Sequence, residues 1–242
     1  MINLNVPQIN NNIEPHTVRA SVSKNKSGLH SDSYCSSCDL KTKQIAFKSI
    51  PLYKVNVKRL MPNDKYQLVP AYFSELDPRS PLDKEAVRSL KRKYESSTKY
   101  FTRMTDVFLE GWNDFYSNYV IETVDEAGRL GDRITSLMLT YKPTINHKNE
   151  PFGIAFLESI PTIYNSSKPS IKGSGELSVY GAAKIADKYG YNSVMLTSTN
   201  DSFYDKIGFK KVLQRDRSDD YFLPKQDYVD FCQEKMKKYG FS

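Results

Sequence analysis

The chain is 242 residues long, 39% of them hydrophobic and 12% aromatic, enough for the core of one domain with appendages or of two small domains. Its mean hydropathy is −0.58, and the lack of any apolar run near the ~20 residues of a membrane helix excludes an integral helical membrane protein. The formal charge of +7 suits an acidic partner (nucleotide phosphates, nucleic acid or an anionic surface) or a plain basic cytosolic surface; charge alone does not choose.

In chain order, residues 1–48 are rich in Asn, Ser and Lys and poor in large apolar side chains. Such a segment cannot bury enough surface to offset its ordering entropy, so a disordered polar tail is expected. It is read either as a plain flexible tail or as an address or export signal. It has no apolar signal-peptide core, and the expected setting is soluble and cytoplasmic. Cys35, Cys38 and Cys232 are an odd set with one close pair, which excludes a disulfide framework. Cys35-Ser36-Ser37-Cys38, with His30 nearby, has the spacing of half a zinc site but lacks the second pair; ordinary reduced thiols in a flexible segment are the first reading, and a shared metal site or redox pair is the second.

A domain over 49–242 follows. Tyr53 to Lys58 alternates with period two and predicts a half-buried strand, broken at Pro62 and Asn63-Asp64. Pro78 to Pro81 predicts a turn, and a helix follows to about Tyr94 with Asp83 placed to cap it. Its Lys84, Arg88, Lys91, Arg92 and Lys93 make either a solvated face or a dock for an acidic surface. Phe101, Met104, Phe108 and Trp112 stand at helical spacing and predict a second helix with a core stripe. Tyr119 to Val124 and Arg133 to Tyr141 read as a hairpin around a turn-rich stretch. His147 falls in a polar, exposed turn. An apolar strand over Phe152 to Ile160, a polar loop, a helix from about Glu176 to Tyr189 and a strand over Ser193 to Thr197 form one strand–helix–strand crossover. Such a crossover pairs parallel and is right-handed. The end of the chain predicts an extended piece and an amphipathic helix, with Tyr228, Phe231, Cys232 and Met236 set against Lys235, Lys237 and Lys238.

The crossover carries the chemistry. Gly173-Ser174-Gly175 opens the helix, so backbone N–H groups converge where the helix dipole favours an anion, and Lys172 adds a cation. The Gly-Lys-Ser/Thr ending of a P-loop is missing, and Ser178 stands where a dinucleotide fingerprint has its third glycine. Downstream comes Phe203-Tyr204-Asp205-Lys206-Ile207-Gly208-Phe209.

Taken together, Phe156-Leu157-Glu158-Ser159-Ile160, Lys172-Gly173-Ser174-Gly175 with Leu177, the helix through Ala182, Ala183 and Ala186, Val194-Met195-Leu196 and the Phe203 to Phe209 run resemble the GNAT N-acetyltransferase superfamily. The likeness covers about a quarter of the chain specifically. It implies an α/β (α+β) fold: a mixed, mostly antiparallel sheet flanked by helices, splayed where two parallel strands separate, with acetyl-CoA as co-substrate in the cleft. By the resemblance, the backbone at Leu157, Ser159 and Ile160 pairs with the pantetheine arm, and amides of Lys172, Gly173, Ser174, Gly175 and Glu176 hold the pyrophosphate. A backbone N–H near Ile160 faces the oxyanion, and Tyr204 protonates the leaving thiolate. The chain departs from the family pattern at Ser170, where Arg or Gln is usual, in the long loop over Pro161 to Ile171, and in the closeness of Asn200 to Tyr204.

The base is left among Glu158, Glu122 and a water chain. The expected function is transfer of an acetyl group to an amine, on a small molecule or on a protein lysine or N-terminus. The alternative is a non-catalytic module on the same fold that binds nucleic acid or an acidic protein through the basic helix. A thiol enzyme on Cys35 or Cys232 has no convincing histidine partner.

Overall fold

The computed structural model describes residues 49–94, 99–112, 114–124, 133–144, 150–159, 169–198, 201–214 and 219–242. The segment 1–48 with His30, Cys35 and Cys38 lies outside them, as do His147, Ile160, Asn200 and residues 161–168 of the expected loop. Strands run at β1 (Ile50–Leu60), β2 (Tyr66–Glu75), β3 (Tyr116–Thr123), β4 (Ile134–Tyr141), β5 (Pro151–Ser159), β6 (Ile171–Lys172), β7 (Ser193–Ser198), β8 (Lys210–Gln214) and β9 (Asp219–Pro224). Helices are α1 (Pro81–Tyr94), α2 (Lys99–Leu109), α3 (Ser174–Tyr189), α4 (Asp201–Lys206) and α5 (Tyr228–Tyr239). The strands form one sheet in the order β6-β1-β2-β3-β4-β5-β7-β9-β8. The β5–β7 pair is parallel, with α3 between the two in sequence, and the other pairs are antiparallel. This mixed, mostly antiparallel sheet flanked by helices is the arrangement the GNAT resemblance implies. Among the described residues no helix is long and apolar enough to cross a membrane.

The alternation of side chains splits the core in two. One face holds Val55, Phe73, Ile121, Met138 and Ile154 against Leu177 and Ala183 of α3 and Phe231 of α5. The other holds Val120, Leu137 and Leu139 against Val87 and Leu90 of α1 and Phe101, Met104 and Phe108 of α2. Neighbours such as Val120 and Ile121 therefore point to opposite cores, and β3 and β4 are buried almost end to end. Small residues let α3 lie close to the sheet: a Cβ on Gly181 would collide with the Phe73 ring.

Strand β2 is not among the elements expected from the sequence, and Pro70 sits in its middle. The Pro70 carbonyl accepts the Val124 N–H at 3.2 Å, just past the Ala71↔Thr123 pair where the β2–β3 ladder ends. Its ring nitrogen faces that same side, so the missing N–H costs β2 nothing against β1, where Asn56↔Pro70 continues the register. Trp112 does not extend the core stripe of α2: it lies past the helix end and is 49% exposed.

Asp83 is not the cap of α1. Ser80 caps it, its Oγ accepting the Asp83 N–H at 3.2 Å and its carbonyl the Lys84 N–H at 3.1 Å. Asp83 instead reaches back and accepts the N–H groups of Ser49 at 3.0 Å and Asp77 at 2.8 Å. Beside it, Glu122 Oε1 accepts the hydroxyls of Ser49 and Ser74, each at 2.8 Å. This buried cluster fixes the start of β1 to α1 and β3. Burial dominates over the two N–H donors, and the Asp83 carboxyl is pushed up to about 6. Because it binds its proton more tightly folded than unfolded, it contributes stability that is fully present below its ordinary value near 3.8 and lost as pH rises through about 6. Chemical denaturation of the protein and of Asp83→Asn between pH 4 and 7 reads this directly. The variant should lack a pH-dependent loss of about 1–3 kcal/mol that the parent shows. Parallel curves would refute the assignment.

Candidate active site

The parallel register of β5 and β7 runs from Pro151↔Ser193 to Ile154↔Leu196 and stops there. β5 continues to Ser159 along β4, while β7 continues to Ser198 along β9. The break has a local cause. On β4, Leu139 faces Phe156 and the next residue, Thr140, faces Ile154, so Ala155 is an extra residue in β5. Such a bulge bends its strand and ends regular pairing. The β7-facing backbone of Phe156 to Ser159 is thereby left out of the β5–β7 ladder.

The first turn of α3 sits at this split. Gly173, the residue before the helix, has φ 95° and no side-chain cap, and the first N–H groups of a helix have no intrahelical acceptor. Ser174 Oγ donates to Thr135 Oγ1 at 2.9 Å, and the Ser136 and Ser178 hydroxyls lie 2.7 Å apart, so two serines one turn apart pin α3 to β4. A Cβ on Gly175 would lie 3.1 Å from Ser159 Oγ and 3.3 Å from Phe203 Cζ. The turn is therefore wedged between the end of β5 and α4. A Cβ on Gly173 would meet the Tyr239 hydroxyl and Cζ at 2.5 and 2.6 Å. Gly173 is required by close internal approach, whereas at Gly175 Ser159 or Phe203 would have to give by a few tenths of an ångström. Gly173 makes room for a ring of α5, a reason different from the open backbone approach that its motif suggests.

Three residues further on, Glu176 is held away from solvent by α5. Lys238 Nζ meets both of its oxygens at 2.9 and 2.7 Å, and Lys235 Nζ lies at 3.6 Å. Lys235 is only 1% exposed and lies over the Phe231 ring, so the solvated polar face expected for α5 turns inward at this position. Lys172 pairs directly with Lys58 across β6 and β1. Like charges so opposed repel, and each is turned onto a ring, Lys172 over Tyr66 and Lys58 over Tyr239. The neighbourhood of the α3 N-terminus is thus net positive although Glu176 lies in it. An unladdered strand edge leading to a basic helix N-terminus suits an extended amide chain that ends in phosphate.

Tyr204 lies on α4, just beyond the end of β7. Its ring packs with Phe203, Phe209 and Tyr221 at centroid distances of 4.9, 5.7 and 5.8 Å. Burial pushes its phenol up to about 12, so it holds its proton at neutral pH. Glu158 faces Leu137 and Phe156 faces Leu139, which puts Glu158 half-buried on the α1/α2 side of β5, whereas Leu157 belongs to the α3 side. Glu122 lies two strands from β5, engaged with Ser49 and Ser74. In the basic helix, Lys91 pairs with Asp106 at 2.6 Å, and Arg92 and Arg88 share Glu85 at 2.9 and 3.8 Å, so part of its charge is paired. Among the described residues no group of three or more His, Cys, Asp or Glu side chains is placed to hold a metal ion. The residues that sequence reasoning missed are Lys58, Lys235, Lys238 and Tyr239. They lie far along the chain from the glycine loop, and no local pattern points to it.

No protein-family model matches the sequence, and no curated protein matches it significantly. Solved structures resemble it at low identity. Apo FdhC, a nucleotide-linked sugar GNAT, is 15% identical over 78% of this chain and 97% of its own, with a TM-score of 0.45. AtaTR bound with AcCoA is 14% identical over 66% and 96%, with a TM-score of 0.45. The Campylobacter jejuni N-acetyltransferase PseH is 12% identical over 64% and 97%, with a TM-score of 0.41.

The glycine packing is testable against an internal control. Gly190 is also left-handed, at φ 79°, but a Cβ added there would meet nothing within 4 Å. Gly190→Ala should cost about 1 kcal/mol in chemical denaturation, and Gly173→Ala about 2–4 kcal/mol, because ring overlap adds to backbone strain. Equal costs would show that Tyr239 yields freely.

Proposed function

We propose that the protein is an N-acetyltransferase that moves an acetyl group from acetyl-CoA to an amine. One observation carries the reading: the backbone edge released by the Ala155 bulge leads to the uncapped N-terminus of α3, with a protonated tyrosine beyond the neighbouring strand. In this reading, backbone groups of Leu157, Ser159 and Ile160 take the amides of the pantetheine arm. The N–H groups from Lys172 to Glu176 take the pyrophosphate, with Lys172 supplying charge. Glu158, on the α1/α2 side, accepts the proton of the attacking amine, directly or through water. As the new C–N bond forms and the C–S bond breaks, Tyr204 gives its proton to the leaving sulfur. Glu122, bonded into the Ser49 and Ser74 cluster, is better suited to holding the fold. The acceptor is an amine on a small molecule or a protein lysine or N-terminus. The binding-module alternative rests on a helix in which Lys91, Arg92 and Arg88 share the two carboxylates of Asp106 and Glu85, which lowers its net charge without removing it.

Calorimetry should show CoA binding, and proteins incubated with the enzyme and labelled acetyl-CoA should gain acetyl groups by mass spectrometry if the acceptor is a protein. No heat with millimolar cofactor would end the reading. Tyr204→Phe keeps the packed ring and removes the proton, so thiol release with the acceptor should fall about 10²- to 10⁴-fold while CoA affinity holds. With a phenol near 12, Tyr204 loses its proton only as pH approaches that value, so the parent rate should show no alkaline fall from this group up to about pH 10. Unchanged activity in Tyr204→Phe would leave the ring a packing role alone.

A further inference from the structure

We infer that Tyr239 is a positioning residue of the acyl-donor site and that helix α5 is a working part of that site; this rests on the acetyl-CoA reading above. The first turn of α3 can present its N–H groups to a phosphate only if Gly173 stays left-handed and the turn stays wedged against β5. Tyr239 acts on this turn at two places. Its ring fills the volume that a Gly173 side chain would take, with the hydroxyl and Cζ 2.5 and 2.6 Å from the Cβ position. Its hydroxyl end lies beside the Glu176 carboxylate, the charged group of the same turn. Lys238 and Lys235 draw that carboxylate toward α5 and so keep a negative charge from competing for the helix N-terminus.

Tyr239 is itself tightly held. It is 2% exposed, and the Asn56 side-chain amide donates to the carbonyls of Tyr239 and Gly240, each at 2.9 Å. Gly240, at φ 60°, ends the helix with its N–H on the Met236 carbonyl, and the Phe241 ring packs edge-on against Tyr180 of α3 at 5.3 Å. Lys58 and Lys238 flank the ring at 5.6 and 5.5 Å from its centroid. Strand β1, helix α5 and the glycine loop thus form one linked unit. A disturbance at Asn56, which lies on neither the loop nor the donor's expected path, should reach the loop through Tyr239.

The test is calorimetry with CoA as the probe, on the full chain, with thermal melts alongside. Tyr239→Phe keeps the ring and should keep CoA affinity within about 3-fold, while Tyr239→Leu should weaken it about 10- to 30-fold. Asn56→Ala should weaken it about 3- to 10-fold through the freed end of α5, and it keeps the inference open to refutation if Tyr239→Leu does not fold. Because Tyr239 acts through Gly173, Tyr239→Leu in a Gly173→Ala background should add almost nothing to the loss from Gly173→Ala alone. Asn56→Ala and Tyr239→Leu that bind CoA as the parent does, or losses from Tyr239→Leu and Gly173→Ala that simply add, would overturn the inference while leaving the acetyl-CoA reading in place. A parent protein that binds no CoA would overturn both.

Discussion

The proposed donor site depends on a single irregularity, the extra residue Ala155 in β5. Parallel strands that stay in register bury their edges in each other and leave no backbone for a ligand. Here the register ends at Ile154↔Leu196. Past Ala155, Phe156 to Ser159 still pair with β4, so they stay rigid, yet their other edge is released from β7. A bulge achieves this without giving up the strand, because it costs one ladder position and the rest of β5 is held from one side. The first turn of α3 can enter beside the end of β5 because Gly175 lets it approach Ser159 and Phe203 so closely.

What keeps this opening in shape is mostly outside it. On the α1/α2 face, Asp83 and Glu122 hold Ser49 and with it the start of β1. On the other face, α5 reaches from β1 to the glycine loop, with Asn56 at one end of the contact and Gly173 at the other. Buried carboxyl groups appear in both places, and in both they have partners: hydroxyl and N–H donors surround Asp83 and Glu122, and Glu176 and Glu234 face Lys235. Leaving any of these groups unpartnered would cost more than the pairs themselves return.

Much of the framework could be read in advance where local pattern and tertiary role agree. Tyr53 to Lys58 alternates because one face of β1 is buried, and the hairpin of β3 and β4 and the strand–helix–strand unit announce themselves by turn residues and apolar runs. Reading fails where a local rule has an exception that only neighbours explain. Pro70 argues against a strand until its ring nitrogen is seen to face the end of the β3 ladder. Trp112 continues a helical spacing in sequence after the helix itself has ended. Lys235 belongs to a charged face by periodicity, yet Glu176, 59 positions earlier in the sequence (235 − 176), draws it inside.

Sequence alone determined the order and type of most elements, the parallel crossover, and the two motifs from which the site is proposed, Gly173 to Gly175 and Phe203 to Phe209. These depend on residues close together in the chain, where backbone geometry and side-chain spacing are enough. Tertiary structure alone decided why Gly173 is a glycine, which side of β5 bears Glu158, what neutralises Glu176, and that Tyr204 sits in a ring cluster whose burial raises its phenol. Each of these is set by contacts between segments far apart in sequence, and desolvation and steric overlap come into being only when those segments meet.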